Sequence, residues 1–538
     1  MKKITIAGYY GFENVGDDAV LESMLHDLRH ALDDINVTVL SNNPLATEEQ
    51  YSVQSILWTD FDKVYAAIEK SDLLIIGGGG LYNCYLDYPP PNLLLESGHS
   101  YFSVFTFGLP VIAAMYNVPC MVFGVGASTS HYEAARADMS LGLSCAGAIA
   151  VRCEGTKNIL MNLPHGRNLD IEVTADPVFR LINNASITLE AFLGEKSPLP
   201  KPILAVNLRN WSFYGNERDL DEAVAYCINQ FIKENGGCVV FIPFDNGGAV
   251  GELSTDNSKF EKIIALLDGT VMYRHINQYL HPADASALVE CCDLAIMMRL
   301  HAAVLSVKNH VPHIALVYDE KVKNILCDLG LDDLCADICH VDKEQFFNKL
   351  KTVWNDRMAV KERLELASKK VRKKAYRNIE IAIDMLSNKE KYLANRYNKR
   401  VVDYIYNRFS RDFREVVRLR ARMPSLLKHL INNALYKEAA DSLALAAEAE
   451  HTSSEMAYLS AIALQGTGNY ESALINYDRA LELGFSEFWV RYNRAALYMT
   501  TGNNVEALSD LKKANELDPG NSDVMKLLAQ LGSLEDTK

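Results

Sequence analysis

The stretch MMRLHAAVLSVKNHVPHIALVYDEK, residues 297–321, sets an arginine, a histidine and a lysine where an anion could be held. An apolar run ending near Met298 reads as a strand, and Arg299 and His301 open the helix after it. A second apolar run ends at Tyr318, and Lys321 follows. If the two strands are parallel, both ends open on one edge of a sheet, where α/β proteins bind ligands. A helix N-terminus adds unpaired N–H groups and a positive dipole end, so an anion there would tune the protonation of His301. Singly, His301 reads first as a satisfied capping histidine, and Arg299 equally as an interdomain salt-bridge partner. Together with Lys321 they point to a site. Arg152 closes the run AIAVR, and Asn207 and Arg209 close ILAVNLR. Arginine forks grip carboxylate and phosphate bidentately and lysine acts as a point charge. Arg152, Arg209, Arg299, His301 and Lys321 would therefore suit a small substrate carrying both groups.

Two glycine-rich segments supply candidate binding backbone. In GYYGFENVGDDAVL, residues 8–21, Gly8, Gly11 and Gly16 permit a tight turn and close approach of a ligand. The spacing is not that of a dinucleotide fingerprint, and Asp17 and Asp18 would cap the helix or repel a pyrophosphate. A polar ligand such as a sugar suits Gly11, Asn14, Gly16 and Asp17 better; the plain alternative is a tight turn with an acidic cap. The run Gly77–Gly80 follows the apolar strand DLLII, and Gly78, Gly79 and Gly80 read as backbone for a ligand to lie against. The 13 histidines show no HxH or HExxH spacing, and no GxSxG elbow occurs, so neither a metal nor a serine nucleophile is expected.

These residues need elements to position them. KITIAG (3–8), VTVLS (37–41), DLLIIGG (72–78), CMVFGVG (120–126), AIAVR (148–152) and IEVTA (171–175) read as strands alternating with helices. The clearest helix runs from Asp17 to Leu32, with Leu21, Met24, Leu25, Leu28 and Leu32 on one face. After a Pro- and Lys-rich break at 193–202, strands return at 203–209, 237–244, 293–298 and 313–318. The expected fold is α/β, with two doubly wound Rossmann-like domains (1–192 and 203–385) whose strand ends share a cleft. A basic helical connector (386–425) then leads to an all-α tail (426–538).

Within the tail, Ala439, Ala473 and Ala507 are spaced by 34 residues, as are Ala446, Ala480 and Ala514. Gly468 and Gly502 repeat at the same interval, as do Tyr436 and Tyr470, and DPG follows at 518–520. That period, with small residues where paired helices touch, resembles tetratricopeptide repeats and implies a concave face for a protein partner.

Composition narrows the rest. A formal charge of −15 over 538 residues argues against nucleic acid as a partner, while leaving room for an anion in a basic cleft. The 11 cysteines form no CxxC pair, the pattern of a reducing compartment. The apolar stretch 101–127 contains Pro110, Asn117 and Pro119, so it reads as a buried helix and a strand rather than a membrane span. A cytoplasmic chain is expected, with peripheral attachment to the inner face of the membrane as a variant.

The motifs GYYGFENVGDDAVL, LSNNP (40–44), GGGGL, AVRCEGT (150–156), TADPV (174–178), MRLHA and YDEKV occur in one order across about residues 1–330. In this the chain resembles the polysaccharide pyruvyltransferase family, notably its cell-wall type. The resemblance implies a GT-B-like fold and phosphoenolpyruvate as co-substrate, with no other cofactor. It implies transfer of a pyruvyl group to two hydroxyls of a surface glycan or its precursor, possible acceptors including lipid-linked ones, with a cyclic ketal formed and phosphate released. It assigns the functional roles to Arg152, His301 and Lys321, with Arg299 beside them. Cys153 stands where members often carry Asp. Two rivals remain at this level: a nucleotide-sugar glycosyltransferase on the same architecture, and a non-catalytic scaffold presenting the tail.

Overall fold

The computed structural model describes residues 1–83, 102–130, 132–210, 217–246, 255–338, 342–393 and 453–535, with a few positions from 428 to 439. The chain divides into two compact units, Met1–Ile405 and Tyr406–Lys538.

The first unit holds two parallel sheets. One contains β1 (Lys2–Ala7), β2 (Ile35–Ser41), β3 (Gln54–Leu57), β4 (Leu73–Gly77), β5 (Cys120–Val125), β6 (Ala148–Val151) and β7 (Ile171–Val173), in the order β3-β2-β1-β4-β5-β6-β7. The other contains β8 (Ile203–Asn207), β9 (Cys238–Phe241), β10 (Tyr273–His275), β11 (Leu294–Met297), β12 (His313–Val317) and β13 (Cys335–Asp337), in the order β10-β9-β8-β11-β12-β13. Both orders reverse beside the first strand, the doubly wound pattern that opens a crevice at the strands' carboxyl ends. The glycine-rich segments leave β1 and β4, flanking the first reversal, while Asn207 and Arg299 follow β8 and β11, flanking the second.

The central strands are buried on both faces, as in LLIIG of β4 and CVVF of β9, because helices cover each side of a parallel sheet. The helix Val15–Ala31 buries Leu21, Met24, Leu25 and Leu28 completely or nearly so. At roughly 1.5–3 kcal/mol for each such side chain, this face anchors the helix whose N-terminus enters the cleft.

A long helix, Arg357–Ser387, follows the second sheet and packs back against β4 and β5 of the first. Its buried Asn378 accepts a 2.8 Å hydrogen bond from the Thr174 hydroxyl and donates to the Ala175 carbonyl at 3.0 Å. The sequence segment 203–385 therefore ends on the first sheet. Of the basic connector expected at 386–425, residues 386–393 lie within the described residues, as the end of this long helix and the short helix Lys389–Leu393.

The second unit is helical: Ser454–Gly466, Tyr470–Glu482, Glu487–Thr501, Asn504–Leu517 and Ser522–Glu535. Ala473, Ala480, Ala507 and Ala514 are fully buried where the helices meet. Gly468 and Gly502 take the left-handed conformation (φ 81° and 78°) that ends the first helix of each pair. Most of the first unit of the expected repeat, Ala446 included, lies outside the described residues.

Candidate active site

The loop from β1 delivers the helix Val15–Ala31 to the second domain. Asn14 caps that helix, its side-chain oxygen accepting from the Gly16 and Asp17 amides at 3.0 and 3.3 Å. The cap is thus Asn14, while Asp17 and Asp18 lie in the first turn, and one face of the expected sugar-binding Asn14 serves the backbone. Asn14 also forms an antiparallel bridge with Asp245, and the Val15 amide donates to the Phe244 carbonyl at 2.9 Å. The Tyr279 hydroxyl donates to Asp18 Oδ2 at 2.7 Å. Burial pushes the Asp18 carboxyl up to about 7, against the hydrogen bond from Tyr279.

His301 stands in the first turn of the helix Leu300–Lys308 and lies flat on Gly16. A Cβ at position 16 would come within 2.1 Å of its Nδ1, so only glycine lets the two helix N-termini approach this closely. On the ring's other side, Nε2 is 3.5 Å from Asp176 Oδ2. Arg152 Nη1 is 3.1 Å from the same oxygen. Asp176 therefore bridges the cation of one domain and the histidine of the other. Burial raises its carboxyl, but His301, Arg152 and the Val178 amide outweigh burial and hold it at about 2. It stays ionised at any physiological pH.

The guanidinium of Arg152 lies over Gly126, whose added Cβ would fall 2.3 Å from Nη2. With Nη1 on Asp176, its Nε and Nη2 are buried and have no hydrogen-bond partner among the described residues. A buried N–H pair left unmade is expensive, on the order of 1–3 kcal/mol per group. This pair lies beside His301, the two side chains sharing Asp176 Oδ2. Cys153 does not substitute for the carboxylate often found at its position; its buried sulfur caps the helix Glu154–Met161. The anchor of Arg152 comes from TADPV instead.

Lys321 lies in the first turn of the helix Glu320–Asp328, its Nζ 3.6 Å from Asp319 Oδ2 and 5.4 Å from the centre of the Tyr318 ring. Arg209 stands over the same ring at 5.2 Å, its Nη1 3.4 Å from the Tyr318 hydroxyl. Burial works to raise that phenol, yet Lys321, Arg209 and Arg299 together lower it below its ordinary value. The shift registers a strongly positive potential in this wall of the cleft.

Arg299 and Asn207 behave differently from the sequence expectation of ligand contacts. Arg299 Nε is 2.8 and 2.9 Å from the two oxygens of the fully buried Asp256, and its Nη2 is 2.9 Å from Asp245. Asn207 donates to Asp256 and to the Ile242 carbonyl, and accepts from the Arg299 amide at 3.0 Å. The knot ties the ends of β8, β9 and β11 together, because a buried carboxylate needs its donors there.

Of the glycines, Gly79 touches the site. Its Cβ would fall 1.8 Å from Asp17 Oδ1, so the carboxylate rests on its backbone, and its carbonyl accepts from the Gly126 amide at 3.0 Å. Gly78 packs on the Tyr10 hydroxyl, Gly80 borders Asn83, and Gly11 lies against Ser41 and Asn43 of LSNNP. The structure thus gathers Arg152, His301, Lys321, Arg209, Gly16, Asp17 and Gly79. It adds Asp176 and Tyr318, for which the aspartate of TADPV and the tyrosine before YDEK's acidic pair were the only sequence signals.

The model of the family described as polysaccharide pyruvyl transferase matches residues 14–320, a span running from the Asn14 cap to the helix of Lys321. The chain belongs to this family. Membership makes it a transferase, and Arg152, Arg209, Arg299 and His301 lie within the matched span, with Lys321 one residue beyond it. Solved structures similar to the chain include the S. aureus MnaA–UDP complex, with 12% identity, 72% of this chain and 97% of that one covered, and a TM-score of 0.47. UDP-GlcNAc 2-epimerase from Methanocaldococcus jannaschii is similar at 13% identity, covering 66% and 93%, with a TM-score of 0.45. The E. coli ADP-heptose heptosyltransferase II is similar at 11% identity, covering 66% and 100%, with a TM-score of 0.37.

Proposed function

We propose that this pyruvyl transferase takes phosphoenolpyruvate as donor and forms a cyclic pyruvate ketal on two hydroxyls of a surface-polysaccharide sugar, releasing phosphate. The observation that carries this reading is Arg152, held through one nitrogen by Asp176 and offering two buried, unpartnered N–H groups beside His301. A donor with a carboxylate and a phosphate matches that fork together with Lys321 and Arg209. His301, its Nε2 3.5 Å from the ionised Asp176, serves as the acid that protonates the methylene carbon. Positive charge develops at the adjacent carbon, a sugar hydroxyl attacks it, and a second hydroxyl displaces phosphate. Arg152 and Lys321 orient the donor and stabilise the departing anion.

The acceptor, free or lipid-linked, meets the donor in the same cleft. Among the described residues no helix is long and apolar enough to cross a membrane. We place the reaction in the cytoplasm, where phosphoenolpyruvate is supplied, with the membrane's inner face as the meeting point for a lipid-linked acceptor. The helical tail, read as tetratricopeptide repeats, recruits a protein of the same glycan pathway.

The test follows phosphate release and ketal formation from phosphoenolpyruvate with a panel of glycosides bearing free 1,2- or 1,3-diols. His301→Gln should lose at least about a hundredfold in turnover. Thermal stabilisation by nucleotide sugars but not by phosphoenolpyruvate would overturn the donor.

A further inference from the structure

Adding a hydroxyl across the donor's double bond requires two proton movements in one step. A proton must reach the methylene carbon while another leaves the attacking hydroxyl. One imidazole cannot donate to the first and accept from the second at the same moment, so the step calls for a second group.

Asp17 occupies the place such a group requires. Asp17 is 8% exposed and its carboxylate lies against Gly79, while the Arg152 guanidinium lies against Gly126, and these two glycines are joined by a 3.0 Å hydrogen bond. Asp17 and Arg152 are therefore set side by side over the carboxyl ends of β4 and β5. Its neighbour Gly16 carries the His301 ring. His301, Arg152 and Lys321 all act on the Asp17 carboxylate through space, yet among the described residues it makes no ion pair with any of them. The carboxylate thus stands among these groups without a paired cation, and two nitrogens of Arg152 beside it have no partner among the described residues. Burial, with the Asp176 charge acting in the same direction, holds the Asp17 carboxyl at about 6 despite those cations, which suits a base working near neutral pH.

We propose that Asp17 is the general base that takes the proton of the first attacking sugar hydroxyl, opposite His301; this rests on the donor reading above. In the addition step, the imidazolium of His301 gives its proton to the methylene carbon. The double-bond pair becomes the new C–H bond, the sugar oxygen bonds to the adjacent carbon, and the hydroxyl proton passes to Asp17. In the displacement step, the second hydroxyl oxygen bonds to the same carbon and its proton returns to His301. The carbon–oxygen bond to phosphate breaks with its electron pair on phosphate, which takes the proton from Asp17. Both groups end as they began, and one hydrogen phosphate leaves. Donor binding prepares the base. The anionic donor offsets the pull of Arg152 and Lys321 on Asp17, so its proton affinity rises when the donor is seated.

The experiment titrates phosphoenolpyruvate into the full chain in two buffers of different ionisation enthalpy at pH 7, and measures phosphate release with the diol panel. Wild type should take up protons on binding and show a low-pH limb in turnover. D17N should bind phosphoenolpyruvate at least as tightly, because a negative charge is gone. It should lose most of the proton uptake and fall at least about a hundredfold in turnover. Asp17→Ser, smaller than the native residue, should behave the same way if D17N misfolds. A variant that keeps wild-type proton uptake, or turns over within threefold of wild type, overturns the role of Asp17 alone. A wild-type chain that binds no phosphoenolpyruvate overturns the donor reading and this role with it.

Discussion

Two arginines end up buried at strand ends of facing sheets, and they have opposite fates. Arg299 is surrounded by Asp256 and Asp245, and its backbone amide is taken by Asn207. Arg152 has one carboxylate, Asp176, shared with His301, and two nitrogens to spare. Each lies in a family-resembling motif after an apolar strand, and each is buried. The difference is saturation. A guanidinium whose charge is met by two carboxylates holds the fold, while one that is buried with two bare nitrogens is completed by a ligand.

The comparison is broken most severely at Arg299. Arg299→Met leaves Asp256 buried without its cation and should destabilise the chain by about 3–5 kcal/mol, read by urea unfolding. A loss below 1 kcal/mol would mean that the knot is not structural. At Arg152 the expected loss is in function. Arg152→Lys keeps a charge for Asp176 but removes the fork, and should weaken phosphoenolpyruvate binding by about a hundredfold, within the range of charge-assisted hydrogen bonds. Its melting temperature should stay near wild type. Unfolding comparable to that of Arg299→Met would erase the distinction between the two sites.

Smaller effects sharpen the contrast between the catalytic unit and the tail. Ala507→Leu overpacks a fully buried helix contact and should cost about 1–3 kcal/mol in the tail, with phosphate release unchanged. Asp18→Asn tests the cleft's acidic side. Because the Asp18 carboxyl is raised to about 7 in the folded chain, folding holds its proton where the unfolded chain releases it, and the ionised form weighs against the fold above that pH. Asp18→Asn should therefore melt higher than wild type at pH 8, with the advantage shrinking towards pH 5. The opposite sign applies to Asp176, held at about 2. Its contribution to stability is present above about pH 4 and is lost as pH falls through 2.

Much of the frame was legible because buried parallel strands advertise themselves. DLLII, CVVF and LAIM are apolar on both faces, and Leu21, Met24, Leu25 and Leu28 recur at helical spacing. The strands Gln54–Leu57, Tyr273–His275 and Cys335–Asp337 escaped notice. They are short, flank the sheet edges and are mostly half-exposed or exposed, so no apolar run marks them.

The sequence by itself determined which side chains could do the chemistry: Arg152, His301 and Lys321 follow from residue type and position after strands. It also determined the alternation that brings strand ends to a cleft, since periodicity is local and each apolar run reports its own burial. Only the tertiary structure decided which cation is satisfied. Asp176 caps a short 3-10 turn and Asp256 opens a helix, and nothing in their neighbours says which arginine each will meet. Electrostatic saturation is a property of distance in space, so Arg152 remains incomplete and Arg299 does not for reasons no local pattern carries.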